Sequence, residues 1–353
     1  MPVKVLHVIS SLEIGGAQRL LSDLLPLQKQ QGLDVSLLVL RSEATDFSKK
    51  IAAAGVPILS LNAQSYRNPF LAIKIRRIIR SYDVIHAHLV HALYLCSFAA
   101  RGLSLKLVYT EHSTYNNRRV HFILRPIERW IYGRYQKLIS ISPQTQQGLQ
   151  RWLQADDDRF LVINNGIDTK LFASIHQEMI PKSLIMVSRF VPSKDQKTVI
   201  RAMQLLDKDI TLRLVGDGET LSHCKQVAKA CKVDDRVFFL GARTDVAELM
   251  AGSYIGIQSS RWEGFGLAAL EMMAVGLPVI ATDVDGLKQV VEGVGVLFPV
   301  GDVVALSQTI QAIMGDKTIY DRMSRLSKER AKGYDMSLLV SEYSEVYKHI
   351  CVC

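Results

Sequence analysis

Two glutamates, Glu263 and Glu271, lie on either side of the loop Gly264-Phe265-Gly266-Leu267. The loop follows a short apolar run and precedes a stretch of good helix formers, so we expect it to open a helix. Backbone amides at the start of a helix have no intrahelical acceptor and lie at the positive end of the helix dipole. They suit a phosphate or the hydroxyl groups of a sugar. The pattern therefore predicts a phosphate or sugar site at this loop.

Glu271 falls on the apolar face of that helix, at the i, i+3, i+4, i+7 spacing that it shares with Leu267, Leu270 and Ala274. Burial of a carboxylate is costly unless the groups around it donate hydrogen bonds. The cis-diol of a ribose would donate them, and a buried ion pair with a Lys or Arg is the alternative. Glu263 precedes the loop and is expected to face the ligand, or else to be an acid of a surface loop.

Two cations, Arg189 and Lys194, follow the strand-like run 183–187. Together they could neutralise a diphosphate and stabilise it as a leaving group, while the alternative is a pair of solvated surface charges. Asp283 and Asp285 follow another strand-like run and are interpreted as a turn. We therefore expect no carboxylate pair that binds a metal ion.

The first half of the chain offers a glycine pair and several histidines. Gly15-Gly16 follows the run 3–9 and precedes a helix, although the full G-x-G-x-x-G fingerprint of a dinucleotide site is missing. His112 follows a strand-like run, at the end where ligands bind parallel sheets, so it is a candidate ligand-facing residue, with a structural histidine as the alternative. Strand alternation is expected to bury one of His86 and His88, and both are interpreted as structural.

Short apolar runs alternate with helical periodicity along the whole chain, which is typical of parallel sheets covered by helices. We predict an α/β protein with two doubly wound, Rossmann-like domains that face each other across a cleft. The domains are predicted at residues 1–168, completed by a C-terminal helix at 336–353, and at residues 169–335. The predicted strands are 3–9, 35–39, 84–87, 107–110, 137–141 and 160–163 in the first half, and 183–187, 211–215, 237–240, 255–258, 278–282 and 294–298 in the second.

The composition excludes several classes of protein. The chain has 353 residues, 48% hydrophobic and 22% charged, which indicates globular domains rather than a small disulfide-stapled protein or long disorder. Its 43 Lys and Arg against 34 Asp and Glu favour anionic partners such as phosphates or membrane lipids. The five cysteines lack metal-site spacing and are expected to be reduced thiols. We expect neither a signal peptide nor a membrane span.

Glu263 and Glu271 match the E-x7-E signature of retaining glycosyltransferases with the GT-B fold, and the chain resembles glycosyltransferase family 4. The resemblance extends over nearly the whole chain. Its further motifs, in order, are Gly15-Gly16-Ala17-Gln18, His86-Ala87-His88, Thr110-Glu111-His112, Asn165-Gly166-Ile167-Asp168, Val187-Ser188-Arg189 with Lys194, Val215-Gly216-Asp217-Gly218-Glu219 and Leu240-Gly241.

The resemblance implies roles for the matching residues of the second half. Arg189 and Lys194 would hold the pyrophosphate of the donor without a metal ion. Glu263 would hold hydroxyl groups of the donor sugar, and Glu271 would hold the ribose. The loop 264–267 would orient the sugar through its amides.

Further roles are implied around these residues. His112 would reach the donor sugar or stabilise charge at the reacting carbon, and Gly16 would approach the donor phosphates. Gly216 is expected either in a tight turn or facing the nucleotide. The segment with Arg243 would contact the base through its main chain. Asp195 is a departure, because many relatives carry Gly at that place.

The activity implied by the resemblance is retaining transfer of a hexosyl or N-acetylhexosaminyl group from a nucleotide diphosphate sugar to an acceptor hydroxyl. A UDP-sugar is the donor expected from the family, and no cofactor or metal ion is expected. The implied setting is the cytoplasmic assembly of bacterial surface polysaccharide, lipopolysaccharide or glycolipid. The alternatives are a nucleotide-sugar epimerase of the same architecture and a nucleotide-sugar-binding protein without activity.

Residues 118–135 mix Arg118, Arg119, Arg125 and Arg129 with aromatic and aliphatic side chains. This composition is typical of a segment in a membrane interface, and the alternative is a helix with an apolar core face and a basic solvent face. We expect a glycan or lipid-linked acceptor and an anionic membrane surface as partners, with peripheral location on the inner face of the plasma membrane. No nucleic-acid-binding motif is found, so nucleic acid is not expected as a partner.

Overall fold

The computed structural model describes residues 3–13, 15–42, 44–113 and 117–352, without the side chains of residues 117 and 120. The chain divides into two compact units. Unit 1 comprises Met1–Gly166 together with Met336–Cys353, and unit 2 comprises Ile167–Asp335. Each unit is built on its own parallel sheet.

Unit 1 alternates strands with helices up to its last strand. Its elements before residue 167 are β1 (Lys4–Ile9), α1 (Gly16–Gln30), β2 (Asp34–Val39), α2 (Asp46–Ala53), β3 (Ile58–Ser60), α3 (Leu71–Ile79), β4 (Val84–His88), α4 (Leu89–Ala99), β5 (Lys106–Glu111), α5 (Arg125–Tyr132), β6 (Lys137–Ser140), α6 (Pro143–Leu153) and β7 (Phe160–Val162).

The sheet of unit 1 has the strand order β3-β2-β1-β4-β5-β6-β7 among the described residues. All its pairings are parallel. Successive strands add outward from β1 on one side and from β4 on the other, so the order reverses between these two strands. In open parallel sheets this reversal point is where ligands bind, outside the carboxyl ends of the strands.

Unit 2 repeats the same design. Its elements are α7 (Thr169–Ala173), β8 (Ser183–Val187), α8 (Gln196–Ala202), β9 (Thr211–Val215), α9 (Leu221–Ala230), β10 (Val237–Gly241), α10 (Val246–Ala251), β11 (Ile255–Gln258), α11 (Leu267–Ala274), β12 (Val279–Thr282), α12 (Asp285–Val291), β13 (Val296–Phe298), α13 (Val303–Gly315) and α14 (Lys317–Lys332). The strand order is β10-β9-β8-β11-β12-β13, so its reversal point lies between β8 and β11.

The last helix, α15 (Met336–Val352), belongs to unit 1 although it follows unit 2 in the chain. Leu339, Tyr343 and Tyr347 are buried in the same hydrophobic cluster as Val5 of β1 and Leu21 of α1. The apolar face of α15 therefore completes the layer that covers one face of the first sheet.

The predicted strands are present, with ends that differ by at most two residues. The sequence prediction missed β3, which has three residues and pairs with β2 at the edge of the sheet. β7 and β13 are equally short and were predicted, but each contains a buried Phe, whereas none of the three residues of β3 is fully buried. Among the described residues, no helix is both long and apolar enough to cross a membrane.

Candidate functional site

The loops that follow β8 and β11 are joined at the reversal point of unit 2. The backbone amide of Arg261 donates to the carbonyl oxygen of Ser193 at 2.7 Å. The hydroxyl of Ser259 donates to the carbonyl oxygens of Lys194 and Asp195, each at 3.0 Å. These hydrogen bonds fix the two loops to each other at the edge where parallel sheets bind ligands.

This junction brings together two residues for which separate roles are expected from sequence. The ammonium of Lys194 forms an ion pair with the carboxylate of Glu263. Both side chains are half-buried, with 18% and 20% of their surface exposed. A phosphate that entered here would compete with Glu263 for Lys194, and Glu263 would then be free to accept hydrogen bonds from hydroxyl groups.

Arg189 follows β8 and is exposed to solvent. The backbone on either side of it rests on a second glycine loop, where Gly216 has a φ of +132°. A Cβ on Gly216 would lie 2.0 Å from the carbonyl oxygen of Ser188, and a Cβ on Gly218 would lie 2.4 Å from that of Phe190. Both glycines are therefore required by close backbone packing, which supports the tight turn expected at Gly216 and fixes the segment that carries Arg189.

Asp195 has a φ of +48°, in the left-handed region that favours glycine. Its buried carboxylate accepts a hydrogen bond from the hydroxyl of Thr198 at 3.0 Å and pairs with Arg261 at 3.1 Å. The loop thus keeps a conformation suited to glycine while the side chain ties it to the loop after β11. Asp tolerates this conformation better than most residues, so the loop can adopt it without a glycine.

The loop that carries Glu263 is held by glycine packing as well. Gly266 has a φ of +95° and precedes the first residue of α11. A Cβ on Gly286, near the start of α12, would lie 2.2 Å from the carbonyl oxygen of Glu263. The ring of Phe265 is buried and meets Tyr334 edge-on, with centroids 5.6 Å apart. The first amides of α11 are therefore presented by a loop with little freedom to move.

Glu271 and Arg243 complete the set of predicted residues in unit 2. Glu271 lies on α11 and is 3% exposed, as its place on the apolar face predicts. Arg243 follows β10, and its guanidinium forms a two-pronged pair with Asp245, with hydrogen bonds of 2.7 and 2.5 Å. The backbone nearby joins the glycine loop, because the amide of Gly216 donates to the carbonyl oxygen of Gly241 at 2.8 Å.

In unit 1 the predicted residue His112 is the outer end of a chain of histidines. Nδ1 of His88 and Nε2 of His112 are 3.0 Å apart, and Nε2 of His88 lies 3.0 Å from Nδ1 of His7. His86 lies beside the chain, where its nitrogens contact the hydroxyl groups of Tyr347 at 2.6 Å and Thr110 at 2.7 Å.

The prediction that one of His86 and His88 would be buried was wrong. Both are buried, and their rings stack with centroids 4.2 Å apart. The physical reason is the period of a strand, because residues two positions apart point to the same face. The sequence also missed His7, which reaches the cluster because β1 pairs with β4 in the register His7 to His86.

Burial keeps these histidines uncharged at neutral pH. It lowers the pKa of His7 to about 3 and that of His112 to about 4. The pKa values of His86 and His88 are also lowered, first by burial and then by repulsion from the neighbouring imidazoles. The cluster is therefore a network of neutral rings.

The ring nitrogens of His7, His86 and His88 lie within 4.8 Å of one another, close enough to suggest a metal site. However, both nitrogens of His88 are engaged with the neighbouring histidines, and both nitrogens of His86 are engaged with hydroxyl groups. A metal ion would have to break these contacts. The arrangement favours hydrogen bonding over metal binding.

The glycine pair of unit 1 lies at the start of α1, where Gly15 precedes the helix in an extended conformation and Gly16 is its first residue. No described atom lies within 4 Å of a Cβ placed on Gly16. Packing among the described residues therefore does not require glycine at this position.

The segment 118–135 places its arginines in two different environments. Arg118 pairs with the buried Glu128 and also donates to the hydroxyl of Tyr94 at 2.7 Å, while Arg119 pairs with the buried Glu111. Both arginines therefore belong to the interior of unit 1 rather than to a solvent-exposed basic face.

The outer face of this segment is apolar. The exposed side chains are Phe122, Ile123, Ile127 and Trp130, which are between 47% and 78% exposed. Arg129 is exposed among them. We call these five residues the α5 surface. It combines a large exposed apolar area with positive charge, a composition that rarely stays uncovered without a function.

Comparisons with known proteins agree with this architecture. Residues 14–171 match the family described as Glycosyltransferase Family 4, and residues 168–330 match the family described as Glycosyl transferases group 1. The chain belongs to the group 1 glycosyltransferases. The junction between the two matches lies near the boundary between unit 1 and unit 2.

Among solved structures, this glycosyltransferase is similar to Anabaena HepE, crystallised in complex with UDP and glucose. The TM-score is 0.87 at 21% identity, and the likeness covers 98% of this chain and 99% of that chain. The GT-B fold expected from the sequence is thereby confirmed.

Two curated relatives of this glycosyltransferase illustrate the range of its family. The N-acetyl-alpha-D-glucosaminyl L-malate synthase of Bacillus anthracis is 26% identical over 75% of this chain and 74% of that protein. The UDP-Gal:alpha-D-GlcNAc-diphosphoundecaprenol alpha-1,3-galactosyltransferase of Escherichia coli is 22% identical over 98% of this chain and 96% of that protein. One relative is named a synthase and the other a galactosyltransferase, so neither an epimerase nor a binding protein without activity is favoured.

Proposed function

We propose that this glycosyltransferase moves a hexosyl or N-acetylhexosaminyl group from a UDP-sugar to an acceptor hydroxyl, with retention of configuration and without a metal ion. The observation that carries this proposal is the junction of the loops after β8 and β11, where Lys194 and Glu263 form an ion pair. UDP in a similar solved structure and a UDP-sugar in the name of a similar enzyme support the choice of donor.

Lys194 and Arg189 act on the diphosphate of the donor. When the diphosphate binds, its charge attracts Lys194 away from Glu263, and Arg189 adds a second positive charge from the same loop. As the bond to the sugar breaks, negative charge grows on the leaving diphosphate. Cations that are already in place stabilise this charge without the help of a divalent ion.

Glu263, released from Lys194, accepts hydrogen bonds from hydroxyl groups of the donor sugar. The amides of the loop 264–267 orient that sugar, because loop packing holds them in place. Glu271 accepts hydrogen bonds from the ribose. The backbone beside Gly216 and Arg243 faces the nucleotide, with the Arg243 side chain held by Asp245.

Two residues of unit 1 are assigned to the reaction as well. His112 stabilises positive charge at the reacting carbon through an uncharged ring nitrogen, since burial lowers its pKa to about 4. Gly16 lets a ligand phosphate approach the start of α1 closely, which gives a reason for a glycine that local packing does not require.

The acceptor is a glycan or a lipid-linked sugar used in the assembly of bacterial surface polysaccharide or glycolipid. The α5 surface supports this setting, since aromatic and aliphatic side chains with a nearby cation suit the interface of an anionic membrane. The diphosphoundecaprenol-linked acceptor in the name of the Escherichia coli relative also supports it.

The deciding experiment is transfer by the purified full-length chain, with a panel of UDP-sugars and polyprenyl-diphosphate-linked sugars, in the presence of EDTA. NMR of the product gives the anomeric configuration. Retained configuration with undiminished turnover in EDTA is the expected result. Inversion would remove the retaining assignment, and turnover that EDTA abolishes would remove the metal-independent one. Rearranged UDP-sugar formed without acceptor would identify an epimerase instead.

A further inference from the structure

Three histidines from three neighbouring strands form a continuous row of ring contacts, which we call the file. His7 lies on β1, His88 ends β4 and His112 follows β5, and the two contacts between their nitrogens are both 3.0 Å long. His88 uses both of its nitrogens in these contacts. His7 and His88 have no exposed surface, so water does not compete for these hydrogen bonds.

The number of protons limits how such a file can be arranged. A neutral imidazole carries one N–H and offers one acceptor nitrogen, and each contact between two nitrogens needs one proton. If His112 donates from Nε2 to His88, then His88 must donate from Nε2 to His7, and His7 carries its own proton on Nε2. If His7 donates from Nδ1, the order reverses and all three rings carry the proton on Nδ1.

A mixed arrangement fails at one or both of the two contacts. It either places two protons between two nitrogens or leaves two lone pairs facing each other in a buried site, and both situations are costly. The three rings therefore share one tautomer. If the proton moves to the other nitrogen in the ring at one end, it must also move in the ring at the other end.

We infer that His88 and His7 are positioning residues that set which nitrogen of His112 carries the proton. This inference rests on the proposed role of His112 in transfer. In one tautomer Nδ1 of His112 accepts hydrogen bonds, and in the other it donates them. An acceptor nitrogen can stabilise positive charge at the reacting carbon. The tautomer of the buried file therefore determines whether Nδ1 of His112 can play this role.

The surroundings hold the file in place. The ring of His86 stacks against His88, and its two nitrogens form hydrogen bonds with the hydroxyl groups of Tyr347 of α15 and Thr110 of β5. The side chain of Gln28 is buried beside His7 and raises its pKa against the larger effect of burial. These contacts fix the ring planes, so the tautomer rather than the orientation is the variable that remains.

The test is long-range ¹H–¹⁵N NMR of the full-length chain labelled at histidine, at pH 7 and without substrate. The ¹⁵N shifts of each ring give its tautomer. The expected result is a proton on Nε2 of His7, His88 and His112, the shared tautomer in which Nδ1 of His112 accepts hydrogen bonds. A proton on Nδ1 of all three rings would overturn the assignment of His112 as an acceptor. Different tautomers among these three rings in the native protein would overturn the inference.

A substitution at the far end of the file makes the test sharper. In His7→Phe, nothing accepts a proton from Nε2 of His88, so both His88 and His112 are expected to carry the proton on Nδ1. An Nε2 proton on His112 in this variant would overturn the inference. The matched control is His86→Phe, which alters the same core outside the file and is expected to leave the tautomer of His112 unchanged.

Activity provides the second readout. In His7→Phe, kcat is expected to fall roughly tenfold or more, with the KM for the donor within about twofold of its native value. His7→Asn offers either an acceptor or a donor near the former Nδ1 and is expected to restore most of kcat. Equal kcat in all three proteins would overturn the inference, and so would a loss of kcat that His7→Asn does not relieve.

The two readouts separate this inference from the proposed function. The NMR measurement needs no substrate. If the three rings share one tautomer but the protein has no transferase activity, the proposed function is wrong and the shared tautomer still stands. Different tautomers in an active transferase would remove the file and leave the proposed function intact.

Discussion

Lys194 and Glu263 form an ion pair although 69 positions separate them in the chain. One follows β8 and the other follows β11, the two strands between which the order of the second sheet reverses. The pair joins a residue proposed to bind the diphosphate to a residue proposed to bind the sugar. With these proposed roles, an incoming donor would separate them, and recognition of its diphosphate and of its sugar would be coupled.

Loss of Lys194 should impair transfer more than it impairs folding. Lys194→Ala removes a cation from the leaving diphosphate and leaves Glu263 half-buried without this partner, so kcat/KM is expected to fall about 100-fold or more. Steady-state kinetics and thermal unfolding of the variant measure the two effects. Lys208→Ala, an exposed position just before β9, is the control and should retain full activity. Native turnover in the double variant Arg189→Ala/Lys194→Ala would contradict the diphosphate assignment.

Glu271→Gln tests the contact with the ribose. Hydrogen bonds to a charged group contribute about 1.5–3 kcal/mol, so affinity for UDP is expected to fall roughly 10-fold to 150-fold. Isothermal titration calorimetry measures it without any acceptor or turnover. Glu248→Gln, on the exposed side of α10, is the matched control. Equal affinity of native protein and Glu271→Gln would remove the ribose role.

Asp195 allows the backbone of the loop after β8 to be tested separately from its side chain. Both Asp195→Gly and Asp195→Ala lose the contacts with Thr198 and Arg261, but only alanine is strained at a φ of +48°. The glycine variant is therefore expected to be more stable than the alanine variant by about 1 kcal/mol. Urea unfolding of the two proteins gives this difference. Equal stability would indicate that the loop changes its conformation when the aspartate is lost.

The α5 surface predicts binding to anionic vesicles. Replacing Phe122, Ile123 and Ile127 together by Ser should reduce binding to vesicles that contain phosphatidylglycerol, because it removes the exposed apolar area that would enter the interface. Arg129→Glu should weaken binding to these vesicles and leave binding to neutral vesicles unchanged.

Co-sedimentation with vesicles measures both effects. The control is Leu205→Ser/Val304→Ser, which removes two exposed apolar side chains of unit 2. Arg118 and Arg119 are unsuitable for this test, since their loss would leave buried Glu128 and Glu111 without these partners. Equal vesicle binding by the native protein and the triple serine variant would show that this segment does not bind membranes and only covers the sheet of unit 1.

The histidine cluster predicts that acid destabilises unit 1. The pKa of His7 is about 3 in the folded protein and about 6.5 in an unfolded chain, so between these values the unfolded state binds the proton and the folded state does not. Stability is therefore complete above about pH 6.5 and falls as the pH decreases. For each histidine ring that stays neutral in the folded protein, the free energy of unfolding decreases by about 2 kcal/mol between pH 7 and pH 5.

Urea unfolding at the two pH values measures this loss, and His7→Asn should make it smaller. Burial raises the pKa of Glu111, which acts in the opposite direction, but only near the lower values where carboxylates titrate. A free energy of unfolding that does not change between pH 7 and pH 5 would show that the rings become protonated within the folded protein.

Much of this protein could be predicted from its sequence because the signals are local. Apolar runs that alternate with helical periodicity define parallel sheets, and the glycine loop between Glu263 and Glu271 defines the start of α11. The burial of Glu271 followed from helical spacing alone. Among the strands of the described residues, the sequence prediction missed β3, which has no fully buried residue.

The tertiary structure decided which distant residues meet. The pairing of Lys194 with Glu263 and of Asp195 with Arg261 depends on β8 lying beside β11, and the file from His7 to His112 depends on the register of three strands. A sequence records the spacing within an element, whereas the order and register of strands come from the packing of the whole sheet. The candidate residues could therefore be identified from the sequence, whereas the residues that they contact could not.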